Sequence, residues 1–202
     1  MGTITWRMEF RKYFSEKSYE QVKQALTGIK PPDDIYAISF WKDNIDDDLR
    51  KPLIQVGFNT LSQVAATRNR QCSEQEAKWN FAYWLQNELT VIGGEDETLS
   101  RWLQQTPYYY SDDDEEDAIG NDDLFESTQS KGNALQQMFM EEIISITHKL
   151  KEQQIFTSCL GKEVPVIIHE LEYYELPVSW TQSANPPELI AGFLSWYHHC
   201  CK

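Results

Sequence analysis

His169 and the glutamates that follow it are the residues of this 202-residue chain whose types best suit acid–base chemistry. Such chemistry needs titratable side chains held together in a cleft, and His169, Glu170 and Glu172 could supply them if their side chains converged. A zinc-protease helix would need a second histidine where Tyr173 stands. We therefore interpret His169 as a hydrogen-bonded residue at a strand end and the glutamates as a solvated rim, with the catalytic cleft as the alternative.

The sequence His198-His199-Cys200-Cys201 contains residue types that bind metals. On a helix only His198 and Cys201 would share a side at this spacing, and two ligands at a fraying helix end rarely form a site. Cys72 and Cys159 lie far apart, and the sequence contains no CxxC pair. We predict reduced thiols, no metal and no cofactor.

Three consecutive tyrosines precede the most acidic stretch of the chain. Neighbouring side chains cannot all point inward, so at least one tyrosine is predicted to lie at the surface. Aromatic anchors beside a field of like charge are typical of protein interfaces. The candidate partner-binding residues are therefore Tyr108, Tyr109, Tyr110, Asp112, Asp113, Asp114, Glu115, Glu116, Asp117, Asp122 and Asp123.

The chain carries 32 acidic and 18 basic residues, which gives a formal net charge of −14. This charge repels phosphate backbones and anionic lipids, so nucleic-acid and membrane partners are disfavoured. It would attract a basic protein, although a high net charge also serves solubility alone. No apolar run approaches the roughly 20 residues of a membrane span, and the first residues do not resemble a signal peptide. We expect a cytoplasmic protein.

The strand that would position His169 is predicted at residues 164–168. These residues form an uninterrupted apolar run, which is typical of a strand covered on both faces. Continued alternation would place His169 and Leu171 on one face, and Glu170 and Glu172 on the other. The acidic side chains are therefore expected where the strand leaves the core.

Three segments have the pattern of amphipathic helices. One starts at a capping box formed by Asn185 and Glu188, and another starts at Ser18 and ends at Gly28. The third is long and ends near Gln153. In the helix that starts at Asn185, the residues that repeat on one face are Leu189, Ile190, Phe193, Leu194 and Trp196. In the helix that starts at Ser18, they are Tyr19, Val22, Leu26 and Ile29. In the long helix, they are Leu135, Met138, Phe139, Glu142, Ile143, Ile146 and Leu150.

Residues 35–41 and 53–59 are rich in strand-forming residues and predict an antiparallel pair joined by a charged loop. Residues 98–105 predict a helix that ends before a proline. Two segments fit either structure: residues 4–14 favour a helix over a strand, and residues 73–85 are left open between the two.

The run of six acidic residues at 112–117 marks a change in composition. Because dense like charge opposes ordering, we predict a mobile surface loop at about residues 108–128, inserted within the domain. The length of the chain fits one domain. The sequence thus predicts a single α+β domain over residues 1–202, with a central, mainly antiparallel sheet packed with several amphipathic helices.

Two C-terminal segments resemble a known family. Residues 164–175, VPVIIHELEYYE, and residues 184–196, ANPPELIAGFLSW, are similar to the C-terminal signature of a bacterial family known as domain of unknown function 4303. The strand DIYAISFW at residues 34–41 and the pair Trp79 and Trp84 also resemble that family.

The resemblance covers about residues 18–196, and the acidic residues 112–123 fall outside it. It implies a small, cytoplasmic α+β protein and supplies no catalytic residues. Some members resemble immunity proteins encoded beside polymorphic or contact-dependent toxins.

Charge and resemblance together predict a non-enzymatic immunity protein that binds and neutralises a basic toxin. The acidic run would steer the toxin, and the tyrosines would anchor it. One alternative is an enzyme of unknown reaction that uses His169, Glu170 and Glu172. Another is a housekeeping domain whose charge only keeps it in solution.

Overall fold

The computed structural model describes residues 3–29, 33–68 and 72–200, with the backbone alone for residues 3–8. Within these residues the chain forms nine α-helices and four strands. In chain order they are α1 (Thr3–Gly28), β1 (Ile35–Asn44), β2 (Pro52–Thr60), α2 (Leu61–Arg68), α3 (Glu74–Trp79), β3 (Thr90–Gly93), α4 (Glu97–Gln104), α5 (Asp112–Ala118), α6 (Asp122–Glu152), α7 (Ile155–Leu160), β4 (Val166–His169), α8 (Glu175–Ala184) and α9 (Pro187–Cys200). Short 3₁₀ turns lie at Ile45–Asp47 and Phe81–Tyr83.

The strands form one mixed sheet in the order β3-β2-β1-β4. β1 pairs antiparallel with β2, and β2 pairs antiparallel with β3, whereas β4 runs parallel to β1. The predicted α+β fold with a mainly antiparallel sheet is confirmed. Because β1 and β4 run in the same direction, their carboxyl ends lie at the same end of the sheet as the β1–β2 loop, residues 45–51.

Apolar side chains cover both faces of the sheet. On one face, Phe40 belongs to a core with Phe14 of α1 and Phe139 of α6, whose ring centres are 5.9 Å apart. On the other face, Tyr36 joins a second cluster with Trp79 of α3, at 5.8 Å between ring centres. Burying a large apolar side chain stabilises the fold by roughly 1.5–3 kcal/mol. The two clusters therefore hold helices on both sides of β1.

Side chains of the α8 segment occupy the free edge of β4. Asn185 accepts from the Val166 N–H at 2.9 Å and donates to the Val166 carbonyl at 2.6 Å. Thr181 Oγ1 accepts from the Ile168 N–H at 2.9 Å and donates to its carbonyl at 3.0 Å. These bonds satisfy the edge as a further strand would. The predicted capping role of Asn185 is wrong, because β4 uses its side chain and α9 begins only at Pro187.

In the N-terminal half, the helix preference for residues 4–14 is confirmed, since α1 begins at Thr3. The predicted helix start at Ser18 is wrong. Ser18 is buried inside α1, and Phe14, Val22 and Leu26 are buried at the same four-residue spacing. One continuous buried stripe therefore carries the helix through Ser18. The antiparallel pair of β1 and β2 is confirmed.

The ambiguous segment at residues 73–85 is helical in its first half. Ser73 accepts from the Glu76 N–H at 3.1 Å and caps α3, after which the chain forms a 3₁₀ turn. The predicted helix at residues 98–105 is confirmed by α4, on which Leu99 and Trp102 are buried.

The predicted acidic loop at residues 108–128 is wrong, because α5 and the start of α6 occupy it. Ser111 and Asp114 form a capping box: the Ser111 hydroxyl accepts from the Asp114 N–H at 3.2 Å, and Asp114 accepts from the Ser111 N–H at 2.7 Å. Carboxylates in the first turn, at Asp112 and Asp113, also interact favourably with the helix dipole. These local interactions offset part of the repulsion among the acidic residues.

Candidate functional site

Arg50, in the β1–β2 loop, binds α5 through ion pairs and hydrogen bonds. Its guanidinium donates to Asp48 at 2.8 Å, to Asp112 at 2.7 Å and to Glu115 at 2.9 Å, and it lies 5.0 Å from the centre of the Tyr110 ring. The hydrogen bond to Asp48, followed by the one to Asp112, raises the pKa of Arg50. Burial alone would raise the pKa of Asp48, but the bonds from Arg50 lower it below its ordinary value. We call Arg50, Asp48, Asp112, Glu115 and Tyr110 the Arg50 clasp.

The N-terminal half of α6 packs closely against the same loop. A Cβ atom at Gly132 would lie 2.5 Å from Leu49 Cδ1 and 3.0 Å from Leu49 Cβ, so any larger residue would force this contact to shift. Gln136 donates from its side chain to the Leu49 carbonyl at 2.6 Å. Together with the Arg50 clasp, these contacts fix the position of the α5–α6 hairpin on the sheet.

The three tyrosines have different environments. Tyr108 is exposed and Tyr109 is half-buried, which confirms the prediction that at least one of them lies at the surface. Tyr110 is only 3 % exposed, and burial, followed by the charges of Glu115 and Asp48, raises its pKa to about 12. Tyr110 therefore packs inside the protein against the Arg50 guanidinium, and its side chain is not exposed to contact a partner.

Apolar side chains project into solvent from the acidic hairpin. Ile119 is 82 % exposed and Phe125 is 56 % exposed, and Leu124 is also exposed. Gly120, between the two helices, has a φ of +76°, which suits glycine in this tight turn. Sequence reasoning missed these residues, although each is an apolar interruption of a stretch that is otherwise polar. We call the following set the hairpin surface: Tyr108, Asp113, Glu116, Asp117, Ile119, Asp122, Asp123, Leu124 and Phe125.

The remaining predicted carboxylates have structural partners. Arg50 binds Asp112 and Glu115, and Asp114 closes the capping box with Ser111. The five carboxylates of the hairpin surface are exposed. The structure thus divides the predicted acidic set into residues that hold the hairpin and residues that are free to face a partner.

A pocket of about 210 Å³ opens between α5, the start of α6 and the β1–β2 loop. Its apolar wall includes Leu49, Ile119 and Phe125, and its carboxylates belong to Asp47 and Glu115. Asp47 adopts a left-handed backbone conformation with a φ of 58°. The pocket therefore combines an apolar lining with negative charge at the base of the hairpin.

His169 lies buried on the second face of the sheet, at 4 % exposure. Its ring stacks on Phe81 with 4.5 Å between ring centres. Its Nε2 is 2.8 Å from the Ser39 hydroxyl, and its Nδ1 is 3.3 Å from the Glu170 carbonyl. Burial lowers the pKa of His169 to about 4. The adjoining cavity of about 20 Å³ has room for about one water molecule.

Glu170 and Glu172 line a different pocket, of about 320 Å³, which His169 does not line. Glu170 pairs with the buried Lys42 at 3.2 Å and accepts a hydrogen bond from Tyr174. The alternation that was expected to continue beyond His169 stops there, and Leu171 is 75 % exposed rather than on the face of Ile167. The three residues of the predicted catalytic cleft are therefore split between two places.

Cys72, Cys159 and Cys200 are free thiols, and Cys201 lies outside the described residues. In the described part of the chain, no three His, Cys, Asp or Glu side chains are arranged to hold a metal ion. No helix in that part combines the length and the apolar character needed to cross a bilayer.

A scan against protein-family models, a search of curated proteins and a search of solved structures gave no match to the chain. The resemblance to domain of unknown function 4303 therefore stays a prediction. The class that fold and surface define is an acidic, mixed-sheet α+β domain with an exposed acidic and apolar hairpin.

Proposed function

We propose that the protein binds a basic protein through the hairpin surface, and that this partner is a toxin which it neutralises as a cytoplasmic immunity protein. The exposure of Ile119 and Phe125 on an acidic hairpin is the observation that carries the proposal. Apolar anchors surrounded by polar residues are the usual anatomy of a protein interface. The neighbouring carboxylates would select a partner of opposite charge.

The fixed position of the hairpin favours tight binding. The Arg50 clasp and the close packing of Gly132 on Leu49 hold the two helices before any partner arrives. A surface that is already ordered loses less conformational entropy when it binds. The contact residues can therefore contribute most of their burial energy to affinity.

The net charge of −14 supports the choice of a basic partner. Long-range attraction raises the rate of encounter between oppositely charged proteins, and this effect falls with ionic strength. The toxin itself is proposed from the resemblance of the strand and helix signatures to a family in which some members resemble immunity proteins.

The environment of His169 favours binding over catalysis. The Ser39 hydroxyl and the His169 ring are within hydrogen-bonding distance, as in a nucleophile and its base. The adjoining cavity of about 20 Å³ has no room for a substrate, and the acidic residues Glu170 and Glu172 line another pocket. We interpret the Ser39–His169 pair as a buried structural link between β1 and β4.

The test uses the product of the adjacent gene as the partner and compares two variants. The double substitution Ile119→Ser and Phe125→Ser removes both apolar anchors. Leu61→Ser, at a residue that is 46 % exposed at the start of α2, is the matched control. We expect the double variant to dissociate at least about 30-fold faster, because each anchor contributes about 1 kcal/mol or more, and the control to match the wild type. Surface plasmon resonance would measure both rates.

Two results would contradict the proposal. The first is that the wild-type protein fails to bind the adjacent gene product. The second is that the double variant and the Leu61→Ser control dissociate at the same rate. A cell-protection assay with His169→Gln separates the enzymatic alternative, because protection survives that substitution if the protein acts by binding.

A further inference from the structure

We propose that the pocket beside the hairpin surface receives one arginine side chain of the partner. This inference rests on the proposed function and deepens it by naming the group that is recognised. The pocket measures about 210 Å³ and is lined by Asp47, Leu49, Glu115, Ile119 and Phe125, among others. Its chemistry suits a cation at the end of an aliphatic stem.

The apolar wall supplies the contact for the stem. Leu49 and Ala118 line the pocket at its inner side, and Ile119 and Phe125 line it where they project into solvent. Arginine buries its methylene groups against apolar surface while its guanidinium reaches polar groups. The face of an aromatic ring such as Phe125 also attracts a guanidinium.

The carboxylates supply the counter-charge. Within the described residues, Asp47 makes no hydrogen bond or ion pair, and Arg50 engages only Oε2 of Glu115. Among the residues that the structure describes, Arg50 and Lys51 pair with three of the four carboxylates around the pocket, Asp48, Asp112 and Glu115, and leave Asp47 without an ion pair. The Arg50 clasp therefore leaves negative charge at the pocket for an incoming cation.

The pair Asp47 and Glu115 favours arginine over lysine. The two carboxylates reach the pocket from different elements, the β1–β2 loop and α5. A planar guanidinium presents donors on several sides and can bind two carboxylates at once, whereas an ammonium is a compact, strongly hydrated point charge. Arginine is also the cation most enriched at the centres of protein interfaces.

The pocket can be tested without the partner by titrating ¹⁵N-labelled full-length protein with N-acetyl-arginine amide at low salt. We expect saturable shifts of the backbone amides of Leu49, Ala118 and Thr128, with a Kd on the order of 1 mM for so small a ligand. N-acetyl-lysine amide should bind more weakly. N-acetyl-norleucine amide, which has the stem without the charge, should cause no saturable shift.

Asp47→Asn removes the free carboxylate and should weaken binding of the arginine amide about tenfold. Asparagine tolerates the left-handed backbone of Asp47, so the loop is expected to keep its conformation. Asp33→Asn, an exposed substitution of the same kind before β1, should leave the affinity unchanged. The same spectra report whether each variant is folded.

The inference is overturned if the arginine amide causes no saturable shift, if lysine amide binds as tightly, or if Asp33→Asn weakens binding as much as Asp47→Asn. Failure of the pocket is distinguishable from failure of the proposed function. In the first case the adjacent gene product still binds and responds to the Ile119 and Phe125 substitutions. In the second case no partner binds, whatever the probe does.

Discussion

At the scale of single residues, His169 has its protonation state determined by its partners. The Glu170 carbonyl can only accept, so Nδ1 carries the proton and donates to it. Nε2 is then the acceptor for the Ser39 hydroxyl. A buried, neutral ring with both nitrogens bonded holds β4 against β1, at the point where Trp41 and His169 are paired. This is the strand-end role that the sequence favoured.

The buried state of His169 makes stability depend on pH. Burial lowers its pKa from 6.5 to about 4 in the folded protein, so the unfolded chain binds the proton first. The contribution of the neutral His169 ring to the free energy of unfolding is fully present above about pH 6.5 and is lost as the pH falls towards 4. By this linkage His169 removes about 3 kcal/mol from the free energy of unfolding over that window.

Urea denaturation of the wild type and of His169→Gln between pH 7 and pH 4 would measure this contribution. Carboxylates such as Asp48 and Asp96, whose pKa values are lowered, weaken both proteins alike as the pH falls. The difference between the two proteins isolates the histidine, and it should shrink by about 3 kcal/mol towards pH 4. A difference that does not change with pH would contradict a buried neutral ring.

At the scale of elements, α5 depends on a residue outside it. Its seven residues include six acidic side chains, and so short an isolated helix is marginal in water. The capping box holds its first turn, and Arg50 holds Asp112 and Glu115 from the β1–β2 loop. The order of the hairpin surface therefore depends on the ion pairs of the Arg50 clasp.

Arg50→Met keeps the stem of the side chain and removes the charge. We expect α5 to open locally, so that amide hydrogen exchange at residues 112–118 becomes at least about tenfold faster, and global stability to fall by about 2 kcal/mol. Arg101→Met removes an exposed arginine that pairs with Glu97 along α4, and it should change neither quantity appreciably. Equal exchange in both variants would show that α5 orders itself without Arg50.

The sequence correctly predicted the helices and strands whose local residue preferences and apolar periodicity identify them without reference to distant residues. β1 and β2 have strand-forming runs, α4 has a repeating apolar face, and α6 ends at Glu152, close to Gln153 where its periodicity predicted the end. The sequence missed β3, α5, α7 and α8, and it misassigned Asn185. For α5 and for Asn185 the reason is a partner that lies far away in the sequence. Arg50 lies 62 residues from Asp112, and Asn185 lies 19 residues from Val166.

The candidate site was likewise predictable only in the features that are local in the sequence. Composition marked the acidic run, and three adjacent tyrosines implied that one would be exposed. The roles of Tyr110 and Glu115 were not predictable, because a carboxylate that binds Arg50 and one that faces solvent look alike in a sequence. The exposure of Ile119 and Phe125 likewise needed the position of the hairpin.

At the scale of the whole molecule, two groups of exposed apolar residues lie at the same end of the sheet. The hairpin surface lies against the β1–β2 loop, at the carboxyl end of β1. The segment after β4 leaves the sheet at the same end and exposes Leu171, Tyr174 and Leu176. A basic partner that docks on the hairpin surface would approach this end of the molecule, where both groups of side chains are available for contact.

The most direct test of a charge-steered partner is the salt dependence of the association rate with the adjacent gene product. One triple variant, Asp113→Asn, Glu116→Gln and Asp117→Asn, neutralises exposed carboxylates of the hairpin surface. The other, Asp33→Asn, Glu88→Gln and Glu152→Gln, makes the same change in net charge at exposed positions elsewhere. Stopped-flow association would be measured for both variants and the wild type across a series of salt concentrations.

We predict that the hairpin variant associates more slowly at low salt and that its rate depends less on salt than the rates of the other two proteins. Association rates that are insensitive to salt in all three proteins, or an equal effect of the two triple variants, would contradict the account.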